Sequence, residues 1–233
     1  MNKDKCEMLC SLLKLKQGAR VLDIACGKGE FLIRLTELYD ISGIGVDISP
    51  YFIKDCLEKQ QKRVPKSNLK FIEMDGAKYK LESSELFNVT MCIGASWIFG
   101  GYLGTIKALK KMTKQEGLIL IGEPYWIKEP DERYLKAEGV KKEDFLTHYG
   151  NMKLGEEEGL TCIYTLVSNH DDWDHYETFQ WWASNDYIRA NPDDPDLTEI
   201  LSLTKKWKEK YLRWGRDTQG WAIYVFRNGI MKK

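Results

Sequence analysis

The chain carries no surplus of charge of either sign, since 35 Lys and Arg stand against 35 Asp and Glu in 233 residues. No global positive field therefore draws it to nucleic acid or to an anionic membrane. No run approaches the roughly 18 apolar residues that span a bilayer. The opening Met1-Asn-Lys-Asp-Lys-Cys6 lacks the apolar stretch of a secretory signal. Together these absences predict a soluble, cytoplasmic protein without a membrane partner. None of the six cysteines, at 6, 10, 26, 56, 92 and 162, belongs to a Cys-x-x-Cys pair. Four of them lie in segments that read as buried strand or helix, as reduced core thiols do. Cys6 and Cys10 are one helical turn apart, but the histidines at 148, 170 and 175 complete no ligand pattern. No metal site is expected. Repeats, low-complexity tracts and linkers are also missing, and the length suits one large α/β domain or one domain with an inserted cap.

What is present begins with Val21-Leu-Asp-Ile-Ala-Cys-Gly-Lys-Gly-Glu-Phe-Leu32, an apolar strand running through Asp23 into a glycine turn and a helix. Gly27 and Gly29 lack a Cβ, so the backbone can turn tightly and a ligand can approach main-chain N–H groups at the helix start. Asp23 can accept a hydrogen bond from a cationic amine. A second carboxylate, Asp47, closes the next apolar run, Ile44-Gly-Val-Asp-Ile48, where it can take both hydroxyls of a ribose. A nucleoside bearing an amino acid fits this set. A dinucleotide-binding turn would read G-x-G-x-x-G, with the third glycine permitting close helix packing around a pyrophosphate. Leu32 holds that third position, which argues against a nicotinamide cofactor. Glycines placed for turn geometry alone are the bland alternative.

Short apolar runs alternate with helix-period segments, predicting a parallel sheet covered on both faces. Strands are expected at 20–24, 43–47, 69–74, 87–93 and 117–122, with helices at 30–39, 51–64 and 102–113. Phe31, Leu35 and Leu38 form the predicted core stripe of the first of these helices. After Gly122 the regular order breaks into charged, aromatic sequence up to about Gly159, followed by an apolar run at 160–167. A second excursion, 173–215, carries Tyr176, Phe179, Ala183 and Tyr187 at helical spacing and Trp207, Tyr211 and Trp214 on another helical face, separated by the turn Asn191-Pro-Asp-Asp-Pro-Asp196. The alternation at 220–227 suits an antiparallel edge strand added to an otherwise parallel sheet.

The motifs Asp23-Ile-Ala-Cys-Gly-Lys-Gly29, Gly94-Ala-Ser-Trp97 with Gly100-Gly101, Gly122-Glu-Pro-Tyr-Trp126, Asp172-Trp-Asp-His-Tyr-Glu177 and Ala190-Asn-Pro-Asp-Asp194 extend over about 170 residues. By them the chain resembles a bacterial group of class I S-adenosylmethionine-dependent methyltransferases carrying GASW and GEPYW motifs. The first motif belongs to the whole class and the later ones are particular to the group. The resemblance implies an α/β, Rossmann-like class I methyltransferase fold with a seven-stranded, mostly parallel sheet, an antiparallel last strand and a helical cap. It implies a single domain over 1–233, with cap segments at about 124–159 and 169–216, and S-adenosyl-L-methionine as cofactor. Only 19 residues precede the first strand, fewer than this group usually carries, which implies a shortened N-terminal helix over the cofactor.

In such a sheet, ligands sit beyond the carboxyl ends of the strands. The cofactor residues expected there are Asp23, Ala25, Cys26, Gly27, Gly29, Asp47, Ile48, Asp75, Gly76, Ala77, Gly94, Ala95 and Trp97. Asp47 would take the ribose. Asp75 would accept from the adenine amine, with a helix N-cap as its structural alternative. Trp97 would turn its ring to the sulfonium, or else serve as an apolar plug under the cap. Glu123, Tyr125 and His170 are the catalytic candidates. Glu123 is the first choice for general base, against a structural pairing with a cap cation. Tyr125 offers a hydroxyl or a wall. His170 has a side chain suited to proton transfer near neutrality, although the surrounding Asp and Asn residues read equally as a turn. Of the adjacent Trp181 and Trp182, at most one can face a pocket, and Glu156–Glu158 reads as solvated surface.

The function expected is transfer of the methyl group of S-adenosylmethionine to a small-molecule acceptor by a monomer or homodimer. Eight tryptophans, concentrated in 173–221, suit an apolar or planar acceptor. A nucleic-acid or protein methyltransferase would want a basic groove or an added recognition domain, and the acidic segments 171–174 and 193–196 would repel phosphates. A non-catalytic S-adenosylmethionine sensor on the same fold is the other alternative.

Overall fold

A computed structural model describes residues 1–81 and 85–229. The chain divides into two compact units. The larger takes in Asn2–Glu123, Tyr149–Leu166 and the chain from Ala222 on, while the smaller takes in Met1, Pro124–His148 and Val167–Trp221.

The larger unit is built on alternation of strand and helix. Helix α1 (Lys3–Leu12) precedes β1 (Arg20–Ile24), α2 (Glu30–Tyr39), β2 (Ser42–Asp47), α3 (Pro50–Arg63), β3 (Asn68–Glu73), β4 (Phe87–Ile93), α4 (Tyr102–Met112) and β5 (Thr113–Trp126). After α5 (Glu132–Glu138) come α6 (His148–Glu157), β6 (Leu160–Val167), α7 (His170–Ala190), α8 (Leu197–Lys210) and β7 (Gln219–Asn228). The seven strands form one sheet in the order β3-β2-β1-β4-β5-β7-β6. The pairs β1–β2, β1–β4, β2–β3 and β4–β5 are parallel, and the sheet ends antiparallel. Val21, Leu22 and Ile24 of β1 have no exposed surface, and neither do Val89, Met91 and Cys92 of β4. These two strands are covered on both faces, which is why they read as unbroken apolar runs.

The sequence places the last strand at the edge, but the structure puts β7 between β5 and β6 and leaves β6 outermost. Five consecutive residues, Ala222–Phe226, are buried, a pattern that requires cover on both faces. The outer strand β6 is the more exposed one, with Ile163, Tyr164 and Val167 reaching solvent. The predicted core stripe of α2 also shifts. Leu32, Ile33, Leu35 and Thr36 are its buried residues, whereas Leu38 is exposed. Strand β5 starts four residues before the expected 117 and runs on to Trp126. Its start is irregular, with Glu116 in the left-handed region at φ 62° and a register shift opposite Phe87 and Val89.

Helix α1 is anchored on α2 by Arg34, whose guanidinium lies 2.6 Å from Glu7, and by the Tyr39 hydroxyl, which donates to the Cys10 carbonyl at 3.1 Å. All six cysteines are free thiols; Cys6, Cys10, Cys56 and Cys92 are buried. No helix among the described residues is long and apolar enough to cross a membrane.

In the smaller unit, α5 is capped by Asp131 and α7 by Asn169, which exchanges hydrogen bonds with Asp172 in a capping box. Its core is aromatic. Trp126 meets Tyr134 and Phe145 edge-on at 6.3 and 5.3 Å, and Tyr134 stacks with Trp214 at 6.2 Å. The indole of Trp126 donates to the Lys142 carbonyl at 2.8 Å. The predicted apolar face of α7 points outward, with Tyr176, Phe179 and Tyr187 all exposed.

Candidate active site

Because β1 pairs with β2 on one side and β4 on the other, the strand order reverses at β1, and ligands of such sheets bind beyond the carboxyl ends of the strands at this point. The turn after β1 occupies that place. Ala25, Gly27 and Gly29 all have positive φ, at 57°, 54° and 68°. A left-handed alanine costs roughly 1–2 kcal/mol and persists only where its surroundings enforce it. The Cys26 N–H donates to the Val46 carbonyl at 3.0 Å and Gly29 N–H to the Cys26 carbonyl at 3.0 Å, locking the loop against the end of β2.

Asp47, only 7 % exposed, ties the two strand ends together. Its Oδ2 accepts from the Gly27 N–H and its Oδ1 from the Ser49 N–H, each at 2.9 Å. Both oxygens retain further acceptor capacity. Asp23 is more deeply buried, at 4 % exposure, and has no hydrogen-bond or ion-pair partner among the described residues. Burial, reinforced by the nearby Asp47, pushes its carboxyl up to about 8. An acid held in this way becomes an anion once a cation is brought against it.

The two glycines differ. A Cβ on Gly29 would lie 2.8 Å from Cys56 Sγ and 2.9 Å from Phe71 Cε1, while a Cβ on Gly27 would meet nothing within 4 Å. Gly29 is therefore needed for packing, and Gly27 faces open space. Under the turn, the Cys56 thiol donates to the Gly27 carbonyl at 3.2 Å, and the Cys26 thiol reaches the same oxygen at 3.7 Å. The neighbouring Cys56 thiol and burial push Cys26 up, away from the reactive thiolate.

Around this turn the larger unit gathers most of the expected residues. Ile48, exposed, follows Asp47. Asp75 caps the short 3-10 turn Gly76–Lys78 by accepting from the Ala77 N–H at 3.0 Å, so its structural alternative is realised. Gly76 is drawn in by close packing, since a Cβ there would lie 2.7 Å from Ile24 and 3.1 Å from Ile98. Gly94, at φ 78°, donates its N–H to the Gly122 carbonyl at 3.0 Å. Ala95 is buried, and Trp97 is 72 % exposed.

Glu123 emerges from β5 with only 2 % exposure. Its Oε2 is buried without a partner. Desolvation pushes its carboxyl up to about 7, against an opposing hydrogen bond from the Ser96 side chain. No ion pair involves it among the described residues. Tyr125 and His170 belong to the smaller unit. Tyr125 is buried, its hydroxyl pushed up by desolvation, and its ring lies 4.9 Å from that of His148. His170 is the first residue of α7, half exposed, with Nε2 4.0 Å from Asp217. Sequence reasoning missed Cys56 and Phe71 as supports of the site, and it named Ser96 within the Gly94–Trp97 motif without its bond to Glu123. For Cys56 a signal existed, since it lies three positions after Ile53 on the inward face of α3.

A family model described as a methyltransferase domain matches residues 15–209. The chain belongs to this methyltransferase family. It is 31 % identical over 224 residues, 95 % of its own length and 90 % of the other, to "Uncharacterized protein YjhP" of Escherichia coli. Two solved structures superpose with a TM-score of 0.89. One is a S-adenosylmethionine-dependent methyltransferase from Geobacter sulfurreducens in complex with S-adenosyl-L-homocysteine, at 29 % identity over 97 % of this chain and 91 % of that one. The other is a S-adenosylmethionine-dependent methyltransferase from Thiobacillus denitrificans, with the same bound molecule and the same coverage, at 32 % identity. The protein is a S-adenosylmethionine-dependent methyltransferase of Rossmann-like fold.

Proposed function

We propose that the protein methylates a small molecule, with Glu123 as the carboxylate that meets the acceptor. The observation that carries this reading is the buried Oε2 of Glu123, three residues before the end of β5, which has no partner among the described residues. A carboxyl held near 7 can exchange a proton at working pH, and an unpartnered buried oxygen leaves room for a hydrogen bond from a ligand. Balanced charge and the acidic segments 171–174 and 193–196 favour a small molecule over nucleic acid. Tyr125 and His170 are secondary candidates for the acceptor side. We assign residues 1–233 to one methyltransferase domain, whose cap segments at about 124–159 and 169–216 select the acceptor.

The residues at these strand ends suit the cofactor. Asp23 needs a cation, which the methionine ammonium of the cofactor supplies. Asp47 offers its remaining acceptor sites to the ribose hydroxyls, and Gly27 leaves open space above the turn. Ala25, Cys26 and Gly29 shape that turn. Ile48, Asp75, Gly76, Ala77, Gly94, Ala95 and Trp97 complete the binding set. When bound, S-adenosylmethionine supplies an electrophilic methyl on its sulfonium. The role left to the chain is to align the acceptor, exclude water and, through Glu123, accept a proton, with alignment alone worth several kcal/mol.

The test incubates the protein with S-adenosylmethionine and pooled cell metabolites, follows S-adenosylhomocysteine release and identifies by mass any compound gaining one methyl. A small-molecule product formed in step with S-adenosylhomocysteine supports the reading. Methylation confined to protein or nucleic acid overturns it. Cofactor uptake with no turnover on any acceptor favours the sensor instead.

A further inference from the structure

The smaller unit contains a cavity of about 370 Å³, within the roughly 300–1,000 Å³ range of small-molecule sites. Its walls are aromatic, formed by Tyr134, Trp173, Tyr176, Trp207 and Tyr211. Tyr134 is buried, whereas Tyr176 and Trp207 are exposed, so the cavity runs from an interior ring to the surface. Its charged lining is Glu138, Glu177 and Lys210.

These charges do not balance. Lys210 Nζ is 2.8 Å from Glu138 Oε2 and is committed to that carboxylate. The Tyr211 hydroxyl donates to Asp174 at 2.7 Å, and Asp174 is paired with Arg216 at 2.9 Å, so that neighbouring anion is neutralised. Glu177 alone has no hydrogen-bond or ion-pair partner among the described residues. Desolvation and the Glu138 charge raise its carboxyl above the ordinary value, outweighing the opposing charge of Lys210. The Trp173 indole N–H is likewise buried without an acceptor.

We propose that this cavity binds an organic cation, its ammonium set against Glu177 and its apolar part between the rings of Trp173, Tyr176, Trp207 and Tyr211. Ring faces attract a cation, and more strongly where water is excluded. With two carboxylates against one ammonium in the lining, the excess negative charge selects a cation over neutral or negative analogues. The inference concerns the smaller unit alone and does not depend on which acceptor is methylated.

The experiment uses the full chain and three probes of similar skeleton: 2-phenylethylammonium, neutral 2-phenylethanol and anionic 3-phenylpropionate. Calorimetry and quenching of tryptophan fluorescence read the binding. Saturable uptake of the ammonium, at least about tenfold tighter than the alcohol and without uptake of the acid, is expected. Glu177→Gln should remove that preference while leaving 2-phenylethanol binding unchanged. Uptake of S-adenosylhomocysteine, read separately on the same samples, confirms that each variant is folded and distinguishes failure here from failure of the cofactor site. Equal affinity for ammonium and alcohol overturns the proposal, as does an unaltered preference in Glu177→Gln or no ammonium binding up to about 10 mM.

Discussion

The backbone N–H of Gly27 donates to Asp47 Oδ2 at 2.9 Å, so one carboxylate fixes the turn after β1 from the end of β2. The other oxygen of Asp47 holds the Ser49 N–H at the cap of α3. Replacing it with alanine removes two charge-assisted hydrogen bonds and, in the proposed complex, the acceptor of the ribose hydroxyls. Such bonds contribute about 1.5–3 kcal/mol each. Asp47→Ala should therefore weaken S-adenosylhomocysteine binding by roughly a hundredfold or more, read by calorimetry. A change below threefold would remove Asp47 from the binding set.

Asp23 makes the pH dependence unusual. Its folded carboxyl titrates at about 8, well above the ordinary 3.8, so between these values the folded state binds a proton that the unfolded state has released. Stability rises with pH only where the unfolded state holds more protons, and here the folded state holds more. The contribution of Asp23 is fully present below pH 4 and is lost as pH rises towards 8. Asp23→Asn should thus gain thermal stability relative to the wild-type free protein as pH rises across that window. Binding of S-adenosylmethionine, by drawing the ammonium against Asp23, should release a proton below pH 8. Calorimetry in buffers of different ionisation enthalpy measures that proton, and an unchanged release in Asp23→Asn would assign it elsewhere.

Glu123→Gln keeps the shape of the side chain and removes its basicity. If Glu123 receives the acceptor proton, turnover falls about 10²–10⁴-fold while S-adenosylhomocysteine affinity stays within about twofold. Wild-type turnover should rise with pH through a midpoint near 7, following the folded carboxyl, and the variant should lose that limb. Retention of full turnover would reduce Glu123 to a buried structural acid.

Much of the larger unit was legible because its signals are local. The run Val21–Ile24 predicts a strand from four adjacent residues, and Asp23, Gly27, Gly29 and Asp47 sit where the turn chemistry puts them. Glu123 could be found by the same logic, as the first polar residue after the predicted strand at 117–122, although β5 itself continues through it to Trp126. Less accessible were features set by distant segments. Phe71 lies under Gly29 only because β3 pairs with β2 in a register that sets Gly45 beside Phe71. Ser96 meets Glu123 only because β4 and β5 are neighbours. The α2 stripe was misplaced because Leu35 belongs to both possible faces, and spacing alone does not choose between Leu38 and Leu32. The outward aromatics of α7 show the same limit, since period announces a helix without naming the face that is buried.

The contrast between Gly27 and Gly29 separates support from binding within three residues of chain. At Gly29 an added methyl would run into Cys56 and Phe71 below 3 Å, and the backbone is already left-handed. Overpacking of this kind costs about 1–3 kcal/mol, and the left-handed alanine about 1–2 more. Gly29→Ala should therefore be markedly destabilised in urea unfolding. At Gly27 the same methyl enters open space, so only the smaller backbone cost applies. That space is where the proposed cofactor lies, so Gly27→Ala should fold with a loss of about 1–2 kcal/mol yet bind S-adenosylhomocysteine at least tenfold more weakly. Full-affinity binding by Gly27→Ala would move the cofactor off the turn, because a ligand resting on that backbone has no room for the added carbon.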